Sequence, residues 1–125
     1  MSRWEDPRRV LERHGRAPKK SFSQNFLVSR THAERIAAFA ARAKLPVLEL
    51  GPGVGTLTAL LLDAGARVHA VERDRDMLDV LAQEFQNEPS LSVVEGDAVT
   101  FDIGAWAKEM GGKVVVTGNL PYAVT

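Results

Sequence analysis

The run Val47-Leu48-Glu49-Leu50-Gly51-Pro52-Gly53-Val54-Gly55 constrains the fold more than any other part of the chain. Its first four residues read as a short buried strand. Three glycines at alternate positions then ask for a tight turn, because glycine enters positive φ without a Cβ clash. Residues 56–64 read as a helix closed by Gly65 as C-cap. A strand that passes through a glycine turn into a helix is the first part of a parallel β-α-β unit.

The same alternation continues to the end of the sequence. Arg67 to Glu72 reads as a second strand with an acid at its C-terminal end. Asp74 caps a helix predicted to bury Met77, Leu78, Leu81 and Phe85. Leu91 to Glu95 is a third strand ending at Gly96-Asp97, residues 102–110 form a weaker helix, and Lys113 to Thr117 is a fourth strand. Right-handed crossovers make this an α/β fold, a doubly wound parallel sheet in the order 3-2-1-4.

Upstream, Asp6-Pro7 pairs an N-cap with a proline at the first helical position, and Gly15 ends that helix. Residues 16–28 read as an irregular basic segment. Thr31-His32-Ala33-Glu34 has capping-box spacing and opens a helix to about Lys44, with Ile36, Phe39, Ala40 and Ala43 on its apolar face. The chain therefore divides into a basic arm with a short helix, 1–28, and a body, 29–125. Net charge is zero, yet residues 1–30 hold eight Lys/Arg against three acids. A basic arm on an acidic body is either a solvated terminus or a phosphate-binding element. Arg16, Lys19 and Lys20 are its candidate phosphate contacts.

At 125 residues with 45% hydrophobic content and no cysteine, the chain suits one small domain without disulfides, thiolate metal sites or a cysteine nucleophile. It shows no signal-peptide core and no apolar run of membrane-spanning length, and a cytoplasmic location is expected. The three histidines have no metal-ligand spacing, so no metal is expected. Trp4 and Trp106 read as packing residues.

Three strand ends carry the candidate chemistry. Gly51, Gly53 and Gly55 follow the G-x-G-x-G pattern of a turn that a ligand can approach closely, with helix-start amides to receive a polar group. Glu72 lies 21 residues beyond Gly51, near the separation expected of an acid that holds ribose hydroxyls. Asp97 ends the next strand, where it could accept from an adenine amine or cap a turn. Near the end of the chain, Asn119-Leu120-Pro121-Tyr122 follows an apolar run. Asparagine offers a donor and an acceptor, proline fixes the backbone, and tyrosine presents a flat face. Such a turn can hold a planar base bearing an amino group. With the glycine turn, it suggests methyl transfer to the exocyclic amine of a nucleobase.

These pieces together resemble the ribosomal RNA adenine dimethyltransferases of the kasugamycin-resistance, small-subunit type. The resemblance rests on Pro18-Lys19-Lys20-Ser21-Phe22-Ser23-Gln24-Asn25-Phe26-Leu27, on Leu48 to Thr58, on Val71-Glu72-Arg73-Asp74, on Gly96-Asp97-Ala98 and on Gly118 to Tyr122, in family order. It implies a Rossmann-like class I methyltransferase truncated after its fourth strand, with the later strands and a helical RNA-binding domain absent. It implies S-adenosyl-L-methionine as cofactor, ribosomal RNA of the small-subunit precursor as partner, and a monomer when complete. Asn25, Leu27, Gly51, Gly53, Glu72, Asp97, Ala98 and Asn119 would bind the cofactor. Asn119, Pro121 and Tyr122 would hold and orient the target adenine. Ser23 and Ala123 depart from the family pattern, where glycine and asparagine are usual. Three other readings remain: a non-catalytic RNA-binding scaffold, a large-subunit (23S) rRNA methyltransferase, and an enzyme acting on a small planar amine.

Overall fold

The computed structural model describes residues 4–16 and 30–118. Within them the elements run α1 (Pro7–Arg13), α2 (Arg30–Ala43), β1 (Val47–Leu50), α3 (Thr56–Asp63), β2 (Val68–Glu72), α4 (Arg75–Glu84), β3 (Leu91–Glu95), α5 (Ile103–Glu109) and β4 (Val115–Gly118). The sheet is parallel in the order β3-β2-β1-β4. Central β1 is buried throughout, as a parallel strand covered on both faces must be.

Side-chain alternation along β1 divides the core. Val47 faces α2 and α3 with Ala33, Ala37, Ala40, Leu57, Leu60 and Leu61. Leu48 and Leu50 face the opposite layer with Val71 and Trp106. His69 joins that layer, its ring stacked on Trp106 at 5.6 Å between centroids.

The local signals act largely as their chemistry dictates. Asp74 accepts from the amides of Asp76 and Met77, and Asp102 from that of Ala105. Asp6 caps α1, with Pro7 in the first turn. Gly65, at φ 88°, follows the end of α3. Four details differ from expectation. Helix α2 begins at Arg30, so Thr31 lies inside the first turn and not at the cap. Its buried stripe is Ala33, Ala37 and Ala40, while Phe39 is 53% exposed and Ala43 only half-buried. Small side chains at that spacing let α2 lie close against α3, and this rotates the large Phe39 outward. Helix α4 buries Val80 beside Met77 and Leu81, and leaves Leu78 and Phe85 half-buried. Strand β4 starts at Val115, where its amide donates to the Pro46 carbonyl, two residues later than Lys113.

Helix α1 of the basic arm packs on the body. Val10 and Leu11 are buried with Val54, Met77 and Val80. Arg13 donates to Glu5 and Glu84, and the His14 ring lies 2.6 Å from Glu84 and 3.1 Å from Gln83. Hydrogen bonds from Arg13 hold the Glu5 carboxyl below its usual range. Burial pushes the Glu84 carboxyl up, but the bonds from Arg13 and His14 outweigh it and the net direction is down.

Candidate functional site

The ends of β1, β2 and β3 meet at the carboxyl edge of the sheet, where open α/β sheets bind ligands. Gly51, Gly53 and Gly55 have φ of 69°, 61° and 89°, all in the left-handed region. Three such angles in five residues explain the G-x-G-x-G spacing. Gly55 has a second constraint: a Cβ there would overlap the Phe85 ring and press on Leu81.

The turn uses its glycine amides internally. Gly51 donates to the Val71 carbonyl at 2.9 Å and Gly55 to Pro52 at 3.0 Å. Gly53 donates to Glu72 Oε1 at 3.0 Å. The amides expected to face a ligand are therefore not those of the glycines. They belong to the first turn of α3, which Gly55, lacking a side chain, leaves without a side-chain cap.

Glu72 is the organising residue. It is buried, and its Oε2 accepts from the amides of Arg73 and Asp74 at 3.1 and 3.0 Å. One carboxylate thus ties the glycine turn to the loop that leads into α4. A carboxylate has about four acceptor positions. Three are occupied by backbone amides, so capacity remains for a ligand hydroxyl.

Asp97 stands next to this pair, because the Gly96 amide donates to the Glu72 carbonyl at 3.0 Å. Its Oδ1 accepts from the Val99 amide at 2.8 Å, and its Oδ2 lies 3.7 Å from the Arg73 guanidinium. Asp97 therefore caps its own loop and also faces the crevice edge. Ala98 is half-buried against the Leu48, Leu50, Val71 and Trp106 layer. Arg16 is pinned to α4 through Asp76 at 2.7 Å and Asp79 at 3.4 Å. Asn25, Leu27, Lys19, Lys20, Asn119, Pro121 and Tyr122 lie outside the described residues.

Sequence reasoning passed over Glu49. It is 1% exposed on the α2/α3 side of β1, and accepts from the Thr58 hydroxyl. Burial pushes its pKa up to about 7, against the Thr58 bond that lowers it, and the Glu72 charge adds to the rise. The signal was available: an acid inside a strand apolar on both faces has no route to water. Among the described residues no group of three or more His, Cys, Asp or Glu could hold a metal ion. No helix there is long and apolar enough to cross a membrane.

Comparison with known proteins gives the arrangement a family. A family model described as ribosomal RNA adenine dimethylase matches residues 15–125. The ribosomal RNA small subunit methyltransferase A of Myxococcus xanthus (strain DK1622) is 50% identical over 122 residues, covering 97% of this chain and 42% of that protein. The chain spans less than half the length of the curated relatives it matches. The crystal structure of the 23S rRNA methyltransferase ErmE superposes with a TM-score of 0.60 at 33% identity, covering 77% of this chain and 37% of that one. The glycopeptide N-methyltransferase MtfA complexed with (S)-adenosyl-L-methionine does so with a TM-score of 0.50 at 29% identity, covering 57% of this chain and 35% of that one. The chain belongs to the ribosomal RNA adenine dimethylase family.

Proposed function

We propose that this chain forms the donor-holding part of an enzyme that dimethylates the exocyclic amine of adenines in small-subunit ribosomal RNA. S-adenosyl-L-methionine is its methyl donor, and the cytosol, where ribosomes are assembled, is its place of action. The observation that carries the reading is the bond between Glu72 and the Gly53 amide. It joins an acid at the end of β2 to the glycine turn after β1, in the arrangement that holds a nucleoside ribose. Curated small-subunit enzymes match the chain at higher identity than the 23S enzyme does, which favours the small-subunit substrate.

The residues present fit the donor. Gly51 and Gly53 put no side chain on the turn, Glu72 keeps acceptor capacity for a ribose hydroxyl, and Asp97 Oδ2 faces only the exposed Arg73 guanidinium, at 3.7 Å, among the described residues. Ala98, half-buried against the apolar layer beside Asp97, offers an apolar side chain to a purine ring. When bound, the donor supplies a methyl group already activated by its sulfonium. The protein's task is then alignment, a proximity effect. In this reading Asn119 and the backbone near Pro121 accept from the adenine amine and keep its lone pair aimed, while Tyr122 stacks on the extruded base. Asn25 and Leu27 close the methionine side, and Lys19 and Lys20 meet RNA phosphates. Arg16, held by Asp76 and Asp79, acts as an anchor at the base of the arm.

The test is titration calorimetry of S-adenosyl-L-methionine into the chain, with Glu72→Ala beside it. Saturable binding that falls at least tenfold in the variant is the expected result. Equal binding by the two proteins would remove Glu72 from the site and the reading with it.

A further inference from the structure

We propose that the outer face of α2, with the cleft at its C-terminal end, is a second RNA-contacting surface, on the edge of the sheet opposite the glycine turn. Arg35, Arg42, Lys44 and Arg67 take phosphates there, and Phe39 stacks on an unpaired base. The inference rests on the reading of the chain as part of an rRNA methyltransferase, and names where the substrate extends beyond its target nucleotide.

The first observation is how charge is distributed. Around the glycine turn and α1, every described arginine except exposed Arg9 is held by an acid: Arg8 by Asp6, Arg13 by Glu5 and Glu84, Arg16 by Asp76 and Asp79, Arg73 by Asp97, and Arg75 by Glu95. Arg35, Arg42, Lys44 and Arg67 have no carboxylate within ion-pair distance among the described residues, and all four are exposed. The acids on this side are Asp63, at the end of α3, and Glu34, which already faces Arg30 at 3.7 Å. Cations left without internal partners are free to release counterions on meeting a polyanion.

The second observation is the ring between them. Arg35, Phe39 and Arg42 are spaced i, i+4 and i+7, so one side of α2 carries all three over about 10 Å of helix. That side is opposite the buried Ala33, Ala37 and Ala40. Among the described residues, Phe39 is the one aromatic of the exposed large hydrophobics; the others are Val99, Met110 and Val116. A lone ring flanked by cations lacks the contiguous apolar patch that a protein partner would need. It does suit single-stranded RNA, whose bases stack on aromatic side chains while cations follow the backbone.

Third, the surface continues into a concavity. A cleft of about 450 Å³ opens where α2 and α3 end, lined by small residues such as Ala40, Ala64 and Gly65, with Lys44 and Arg67 among its lining residues. Backbone bonds fix this rim: Val47 donates to the Arg67 carbonyl, and Lys44 is held at φ 53° just after α2.

The experiment measures fluorescence anisotropy of a labelled transcript of small-subunit rRNA over a salt series. The proteins are the full chain, Arg35→Ala/Arg42→Ala, Phe39→Ala, and Lys108→Ala as an equally exposed cation on α5. The double variant should bind about tenfold more weakly and lose about 1.5 from the salt slope. Phe39→Ala should weaken binding about fivefold with the slope unchanged, and Lys108→Ala should behave as wild type. The substituted side chains are exposed, so circular dichroism should be identical throughout. Wild-type affinity and slope in the double variant would overturn the surface and leave the donor site standing. Loss of self-association in Phe39→Ala, with RNA binding intact, would overturn it in favour of a protein interface. No RNA binding by the unsubstituted chain would overturn the surface and the rRNA reading together.

Discussion

Glu49→Gln should stabilise the protein at neutral pH and leave it nearly unchanged in acid. The carboxyl is buried and takes one hydrogen bond, from Thr58. Burial places its pKa at about 7, against 4.5 for an exposed glutamate. The sign follows from proton counting. Between pH 4.5 and 7 the unfolded chain has released this proton and the folded chain keeps it, so unfolding becomes easier as pH rises. Below that window both states are protonated, and above it both are ionised. A rise of this size corresponds to about 3 kcal/mol across the window. Glutamine fills the same space, can still meet the Thr58 hydroxyl, and has nothing to ionise. Three other groups titrate in or near this range. Glu5 and Glu84, whose folded pKa values are lowered, give stability that is lost as pH falls below the same 4.5. His69, lowered first by burial, gives stability that grows as pH rises toward 6.5. All three are common to the two proteins and cancel in their difference. Urea unfolding at closely spaced pH values should therefore give a difference curve that is flat in acid, climbs from pH 4.5 to 7, and is flat beyond. A difference that does not change with pH would refute the buried, neutral Glu49.

Two further substitutions test the packing around the site. Gly55→Ala combines a left-handed φ of 89° with overlap on Phe85, and should cost about 2 kcal/mol or more; adding Phe85→Ala should recover part of that loss in thermal unfolding, and additive losses would show that the ring is not the obstacle. Arg13→Ala should cost about 1 kcal/mol at low salt, since its pairs with Glu5 and Glu84 are partly exposed, and less at high salt. A loss that does not depend on salt would assign the docking of α1 to Val10 and Leu11 alone.

The sheet was legible because each β-α transition carries its own chemistry. Glycines mark the first turn, Asp74 and Asp102 cap the helices after β2 and before β4, and short runs rich in valine and leucine mark the strands. These signals are local, and the strand order follows from the handedness of the crossovers. Placement of Glu72 was legible for the same reason, since strand length alone brings it to the edge where the glycine turn lies. What the sequence concealed depends on contacts between distant segments. The rotation of α2 is set by how closely Ala33, Ala37 and Ala40 approach α3, so periodicity placed Phe39 inward when it faces solvent. The partners of Arg16, sixty or more residues away, have no local sign, and a charge that looked available to RNA is held by Asp76 and Asp79.

In the proposed site Glu72 would join stability and ligand binding in one side chain, and this limits which substitutions can separate them. Its two oxygens accept from three amides, Gly53 on one side and Arg73 and Asp74 on the other. Glutamine is a poor neutral substitute, because either orientation of its amide points an NH2 group at an N–H donor. Aspartate is shorter by one methylene and cannot span both loops at the observed distances. Alanine leaves three amides of a half-closed crevice without their acceptor, at about 1–3 kcal/mol for each one that water cannot reach. Any change at Glu72 therefore loosens the glycine turn as well as removing the proposed ribose partner. The two effects separate by linkage: a ligand that binds only the folded state raises its stability by an amount fixed by its dissociation constant. Denaturation with increasing S-adenosyl-L-methionine should raise the unfolding midpoint of the unsubstituted chain more than that of Glu72→Ala at each concentration, whatever the starting stabilities. Equal ligand-dependent increments in both proteins would make Glu72 a strut of the fold and not a ligand of the donor.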